Sequence, residues 1–316
     1  MPIDLSIVVP LFNEQESVEK LLSGVLDVLR KTDFSFEVIF VDDGSRDRTW
    51  DVILALKRKT PELKAIKFRR NFGQTSAMVA GFDHAEGNVI VTMDGDLQND
   101  PADIPLLMDK IGDGYDIVSG WRKYRKDSFT RVLPSMVANK IISWTTGVQL
   151  HDYGCSLKAY RSNCIKTLKA YGEMHRFFPA LASMTGARTL EVPVSHHPRK
   201  YGISKYGFNR IFKVFSDIFA MNLIIRFSSK PLKGFAVASI PFLFFTLLFG
   251  FLAIFALNLN WTAGKALFFF ISSALTGMAF VHLITLGILA ELVVGTSDLS
   301  HTQLPDLTRK TINIKK

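Results

Sequence analysis

The first two hundred residues alternate short apolar runs with amphipathic stretches. Leu5–Pro10, Phe36–Val41, Leu63–Phe68, Val89–Met93 and Tyr115–Ser119 are compact, largely apolar runs and read as strands. Between them Val18–Leu29, Asp47–Lys59 and Gln74–His84 carry helical patterns. This alternation predicts an α/β domain over residues 1–200, with a largely parallel sheet covered by helices on both faces. Ligands of such sheets bind beyond the carboxyl ends of the strands, so the residues just after each strand are where chemistry is expected.

The pattern changes beyond residue 200. Between Gly234 and Ala290 the only formal charge is Lys265. Residues 234–257 and 266–290 form two uncharged apolar runs, the second interrupted only by His282, and neither has a polar face. A helix of about 24 residues reaches roughly 36 Å, enough for a hydrocarbon core of about 30 Å. A transmembrane hairpin is expected, with Trp261 in its short connection. Arg226, Lys230 and Lys233 precede the first run, and Arg309, Lys310, Lys315 and Lys316 follow the second. That distribution puts both termini, the tail 291–316 and the α/β domain on the cytosolic face of an inner membrane. In residues 201–233, Phe208, Ile211, Phe212, Phe215, Ile218 and Phe219 recur at helical spacing among basic residues. A juxtamembrane helix lying in the headgroup plane is expected there, the alternative being a helix packed on its own domain or on another protomer.

Composition narrows the class. The chain has 316 residues, a formal charge of +9 and 48% hydrophobic residues, which excludes a disordered, collagen-like or disulfide-stapled protein. The apolar runs exclude a wholly soluble one. Cys155 and Cys164 have no metal-ligand spacing and are expected to be free thiols. The first residues lack the pattern of a secretory leader, consistent with a cytosolic first domain.

The strand ends carry Pro10–Glu14, Asp42–Ser45, Arg69–Gly73 and Asp94–Asp96. Glycine signatures of dinucleotide or P-loop sites are absent. Asp42 or Asp43 could accept hydrogen bonds from a base or ribose, or could cap the helix that follows. Asp94 and Asp96 emerge from a buried strand, one residue apart, with Gln98 two residues further on. Two carboxylates so placed can hold a hard divalent ion whose open positions take phosphate oxygens. Basic residues that could meet phosphate follow at Arg122, Lys123, Arg125, Lys126 and Arg131, and at Arg199, Lys200 and Lys205. His151, His175, His196 and His197 have no metal spacing and are read as structural.

Together, Val9-Pro10-Leu11-Phe12-Asn13-Glu14, Val41-Asp42-Asp43-Gly44-Ser45, Arg70-Asn71-Phe72-Gly73-Gln74 and Met93-Asp94-Gly95-Asp96-Leu97-Gln98 resemble family 2 glycosyltransferases of the GT-A (Rossmann-like) fold. Asp152-Tyr153-Gly154-Cys155, Tyr160-Arg161, Tyr201-Gly202-Ile203-Ser204-Lys205-Tyr206 and the apolar hairpin bring it nearest to the polyprenyl-phosphate glycosyltransferases. These include GtrB-type glucosyltransferases, dolichol-phosphate mannose synthases and aminoarabinose transferases. The resemblance implies that Pro10, Asn13, Glu14, Asp42, Asp43, Asn71, Gly73, Asp94 and Gln98 surround a nucleotide-sugar. It implies that Asp94, Asp96 and Gln98 serve Mg2+ or Mn2+. Arg122, Arg131, Ser135, Arg199, Ser204 and Lys205 would face the acceptor phosphate, with Asp94, Asp96, Arg122 and Arg131 catalytic. Two departures are Gly95, where mannose synthases usually have alanine, and Asn99-Asp100-Pro101 after the motif.

The reaction so implied is one inverting, metal-dependent sugar transfer from a nucleotide-sugar to a polyprenyl phosphate. UDP-glucose and undecaprenyl phosphate are the preferred pair, ahead of UDP-aminoarabinose derivatives, UDP-N-acetylhexosamine or GDP-mannose. Partners are then the donor, the lipid acceptor and the bilayer, with a homo-oligomer expected and no nucleic acid. A processive synthase is disfavoured because the Gln-x-x-Arg-Trp signature is missing. A membrane-tethered nucleotide-sugar sensor or scaffold is the rival outside enzymology. A transport role is weaker, because the spans offer little polar pathway.

Overall fold

The structure is a computed structural model. It describes residues 3–123, 139, 142–143, 147–168, 174–183, 186–198, 231–259 and 261–296. The described residues fall into two compact units, an α/β unit up to residue 198 and a helical unit from residue 231.

The α/β unit is built on β1 (Leu5–Leu11), β2 (Phe36–Asp42), β3 (Leu63–Lys67), β4 (Val89–Thr92), β5 (Ile117–Trp121), β6 (Lys158–Arg161) and β7 (Thr189–Pro193). Its helices are α1 (Val18–Leu29), α2 (Thr49–Lys57), α3 (Gln74–His84), α4 (Ile104–Gly112), α5 (Ser162–Ile165) and α6 (Phe178–Ser183). The sheet order is β3-β2-β1-β4-β6-β5-β7, and β6 alone runs against its neighbours. The predicted layout therefore holds, with one reversed strand inside it. Val8, Ile39 and Ile90 pack beneath α3 on one face, and Ile7, Val38 and Val91 beneath α1, α2 and α4 on the other. Such double burial explains the near-continuous apolar runs of the central strands.

Expected element limits move where polar side chains take over. The helix expected from Asp47 starts at Thr49, because the Asp47 carboxylate sits outside it and accepts from Thr49 N at 3.0 Å. The strand expected over Tyr115–Ser119 is Ile117–Trp121. The Asp116 carboxylate is occupied with Arg188 N at 2.8 Å, and Arg188 lies over the Tyr115 ring.

Direction decides where the site lies. β1 to β4 are mutually parallel, and two antiparallel pairings through β6 return β5 to the same sense. The residues after β1, β2, β3, β4 and β5 therefore share one sheet edge, and the chain entering β6 from Asp152 starts from that edge too. At the opposite edge Glu37 is buried. It accepts from Ser6 Oγ at 2.6 Å and Glu86 N at 2.7 Å, and pairs with Lys64 at 2.6 Å.

The helical unit contains α7 (Pro231–Asn258) and α8 (Ala263–Thr296), both long and apolar enough to cross a membrane. They meet along small and hydroxylated residues. Thr246 Oγ1 donates to Thr276 Oγ1 at 3.0 Å, and Ser273 Oγ donates to the Thr246 carbonyl at 2.9 Å. Glu291 accepts from Leu232 N at 3.0 Å and so caps the start of α7. Phe244, Leu247, Phe251, Leu257, Phe268 and Met278 face outward, the arrangement expected of helices solvated by lipid.

Candidate active site

The loop after β1 is held to the turn after β2. Asn13 adopts φ 55°. Its N–H donates to Ser45 Oγ at 2.9 Å, and its Oδ1 accepts from Arg46 N at 2.9 Å. Glu14 N donates to Thr49 Oγ1 at 2.8 Å, and its carboxylate accepts from Ser17 Oγ at 2.9 Å. Asp42 and Asp43 cap no helix. Asp42 Oδ1 accepts from Ser45 N at 2.9 Å, closing the turn, while its Oδ2 is buried with no hydrogen-bond partner among the described residues. The Asp43 carboxylate accepts from Phe72 N at 2.7 Å and Gly73 N at 2.9 Å, pinning the loop after β3. Burial pushes the Asp43 pKa above the ordinary carboxylate range, with Asp42 adding to the effect against those two hydrogen bonds. Gly44, at φ 70°, lets that loop approach, since a Cβ there would lie 2.4 Å from the Arg70 carbonyl carbon.

Asp94 and Asp96 stand at the end of β4. Asp94 Oδ1 accepts from Gln74 Nε2 at 2.8 Å, and its second oxygen takes no hydrogen bond among the described residues. Asp96 Oδ1 accepts from Gln98 N at 3.2 Å, and Leu97 between them adopts φ 62°, a strained value for leucine. Gln98 turns its amide towards His196 Nε2 and the His197 carbonyl, each at 3.4 Å. Asn99 braces the loop from beneath, its Oδ1 accepting from Asp94 N at 3.0 Å and Ser156 Oγ at 2.8 Å. Asp100 caps the short turn at Pro101–Asp103 and pairs with His197 at 3.0 Å. The departure at Asn99-Asp100-Pro101 is thus a fastening for the acidic loop.

Arg122 leaves β5 beside this loop. Its Nε and Nη2 donate to the two oxygens of Asp152 at 2.7 and 2.9 Å, a bidentate pair that is largely buried. Burial works against the guanidinium charge, and the Asp152 carboxylate outweighs it, holding the pKa above the ordinary arginine value. Glu191 on β7 fixes the turn carrying Asp152, accepting from Asp152 N at 2.8 Å and from His151 Nδ1 at 2.7 Å. His151 stacks on Trp121 with ring centres 4.4 Å apart. Asp152 and Glu191 were not among the expected site residues. Asp152 was visible only as part of the Asp152-Tyr153-Gly154-Cys155 run.

Arg131, Ser135, Arg199, Ser204 and Lys205 lie outside the described residues. The remaining expected residues gather at one sheet edge, from Pro10 and Asn13 through Asp42, Asp43, Asn71 and Gly73 to Asp94, Asp96, Gln98 and Arg122. Cys155 and Cys164 form no disulfide in the structure.

Residues 6–168 match the protein-family model described as Glycosyl transferase family 2. The chain belongs to this family. It is 46% identical to a dodecaprenyl-phosphate galacturonate synthase of Rhizobium johnstonii, over 72% of this chain and 69% of that protein. It is 36% identical to an undecaprenyl-phosphate 4-deoxy-4-formamido-L-arabinose transferase of Pseudomonas aeruginosa, over 92% of this chain and 85% of that one. Among solved structures it resembles glucosyl-3-phosphoglycerate synthase from Mycobacterium tuberculosis in complex with Mn2+, UDP and phosphoglyceric acid. That match has a TM-score of 0.56 and 16% identity, over 71% of this chain and 78% of the other. The sheet is thus of the GT-A type, and this glycosyltransferase carries two apolar helices after it.

The donor set of the transferase fits a hard divalent ion. Asp94 offers an oxygen with no competing hydrogen bond among the described residues, and Asp96 supplies a second carboxylate from the same loop. An ion held by these two carboxylates would keep positions open for substrate phosphate and water.

Proposed function

We propose that this glycosyltransferase moves one sugar from a nucleotide-sugar to the phosphate of a polyprenyl phosphate at a membrane surface. The observation that carries this reading is the 46% identity, over most of both chains, to a protein named for dodecaprenyl-phosphate. The acidic loop of the GT-A sheet and the apolar pair α7 and α8 agree with it. The hairpin is read as spanning the bilayer, with the α/β domain and both flanks on the cytosolic side.

The domains are read as an α/β catalytic part to about residue 200, a basic amphipathic connection, the hairpin and a tail. Asp42, Asp43 and the loops they hold form the nucleotide end of the site. Asp94 and Asp96 would hold Mg2+ or Mn2+, which when bound neutralises the leaving diphosphate. A phosphate monoester is already anionic near neutral pH, so its oxygen attacks the anomeric carbon without a general base on the protein. The work of the chain is alignment and charge balance. Arg122 uses one edge of its guanidinium on Asp152 and keeps further N–H donors for the acceptor phosphate. Displacement in one step inverts the anomeric centre.

For the donor, the sequence alone favours UDP-glucose. The names of the relatives support a galacturonate or a formamido-arabinose instead, and UDP-galacturonate ranks first because that relative is the more similar. The test is purified protein in detergent with undecaprenyl phosphate, Mg2+ or Mn2+, and a panel of UDP- and GDP-sugars, with the lipid product read by mass spectrometry. One donor yielding a monoglycosylated lipid phosphate supports the reading and names the sugar. Donor binding without lipid product from any of them would favour the sensor or scaffold instead.

A further inference from the structure

Lys158 is a buried cation that the proposed chemistry leaves unused. It opens β6 and pairs in register with Thr92 on β4 and Ser119 on β5, two residues before Asp94 and three before Arg122. Directly opposed residues project to the same face of a sheet, so the lysine runs under the strand end that delivers Asp94. It is 2% exposed, and its Nζ donates to the Tyr153 carbonyl at 3.0 Å, in the turn that presents Asp152. Among the described residues it makes no ion pair. Asp94 and Asp152 nevertheless act on its charge from a greater distance, as does Arg122. Burial brings its pKa down to about 8, and both carboxylates work to keep it protonated.

A charge is expensive to bury without a carboxylate in contact, so a lysine buried here calls for a function. We propose that Lys158 is a positioning residue: it fastens the Tyr153 turn that aims Asp152 and Arg122, and its ammonium charge offsets the carboxylates of Asp94 and Asp152 before metal and phosphates arrive. It touches neither substrate nor ion. This inference rests on the reading of Asp94 as a metal ligand. It adds that the acidic loop is held at less than its full affinity for a cation, because a like charge lies beneath it.

The test uses the full-length protein in detergent and Mn2+, with and without UDP, with bound ion measured by electron paramagnetic resonance. Lys158→Gln keeps a donor for Tyr153 and removes the charge, and Lys158→Arg keeps the charge; Lys158→Met replaces the first should it not fold. The neutral variant should bind Mn2+ at least about threefold more tightly, since a nearby positive charge has been removed. Its kcat should fall while KM for the donor changes little. Lys158→Arg should retain wild-type Mn2+ affinity and recover most of kcat. A merely structural lysine would not tighten ion binding when replaced. Unchanged or weaker Mn2+ binding in a folded neutral variant would overturn the proposal, provided that wild type binds the ion and Asp94→Asn does not. Equal binding by wild type and Asp94→Asn would instead overturn the metal reading beneath it.

Discussion

Replacing Asp152 by asparagine tests the electrostatic frame of the site. The carboxylate accepts from Arg122 Nε and Nη2 at 2.7 and 2.9 Å, from Arg122 N at 3.3 Å and from Gly154 N at 3.2 Å. The side chains of Arg122 and Asp152 are only 18% and 5% exposed, so solvent screens the pair weakly. Asparagine keeps one acceptor oxygen and turns an amide donor towards a guanidinium that has none to receive it. Breaking one side of a buried pair costs about 3–5 kcal/mol. For a folded unit of this size each kcal/mol is worth about 2–4 °C, so melting in detergent should fall by roughly 10 °C. Arg122→Met combined with Asp152→Asn should be less damaging than the sum of the two single changes, with a coupling of about 1–3 kcal/mol. A single Asp152→Asn variant melting within about 2 °C of wild type would refute the reasoning.

Other outcomes follow from single contacts. Asp94→Asn keeps the Oδ1 that accepts from Gln74, so the fold should survive while turnover falls at least about 100-fold; normal turnover at saturating donor would remove Asp94 from the ion site. Gly44→Ala forces a side chain into φ 70° and against the Arg70 backbone, and should cost more than about 1 kcal/mol in thermal unfolding, with donor binding weakened through the displaced Arg69–Gly73 loop. Burial alone would raise the Glu37 pKa, but Glu86 N, Lys64 and Ser6 outweigh it and hold it below the ordinary value. Its stabilisation is therefore present above the unfolded pKa of about 4.3 and is lost as pH falls through the lower folded value. Glu37→Gln should melt below wild type at pH 6, and the gap should close as the pH approaches 3. A gap that widens in acid contradicts that sign.

Local patterns carry the half of the sheet from β1 to β4 because β1, β2 and β4 are buried on both faces and a helix follows each of β1, β2 and β3. Gln74–His84 is the same in pattern and in structure. β6 and β7 escape the pattern because β6 is only four residues with a charge at each end, and β7 carries Glu191, whose partners lie about forty residues back along the chain. Lys158 is buried, and the Glu191 carboxylate is taken up by the 151–152 backbone. The place of Asp94 and Asp96 at the sheet edge was legible from position alone, since they follow a buried strand. The Arg122–Asp152 pair spans thirty residues and depends on β6 running antiparallel, which no short spacing reveals. Asp42 and Asp43 show a further limit, because their contacts with Ser45, Phe72 and Gly73 are set by how two loops meet.

The central claim is transfer to a lipid phosphate, and nucleotide release tests it most directly. Purified protein with Mn2+ and UDP-galacturonate is compared with undecaprenyl phosphate, with undecaprenol and with no lipid. The account predicts release that requires the lipid phosphate, stops when the ion is chelated, and is absent in Asp94→Asn. Release at equal rates with undecaprenol, or without any lipid, would contradict it.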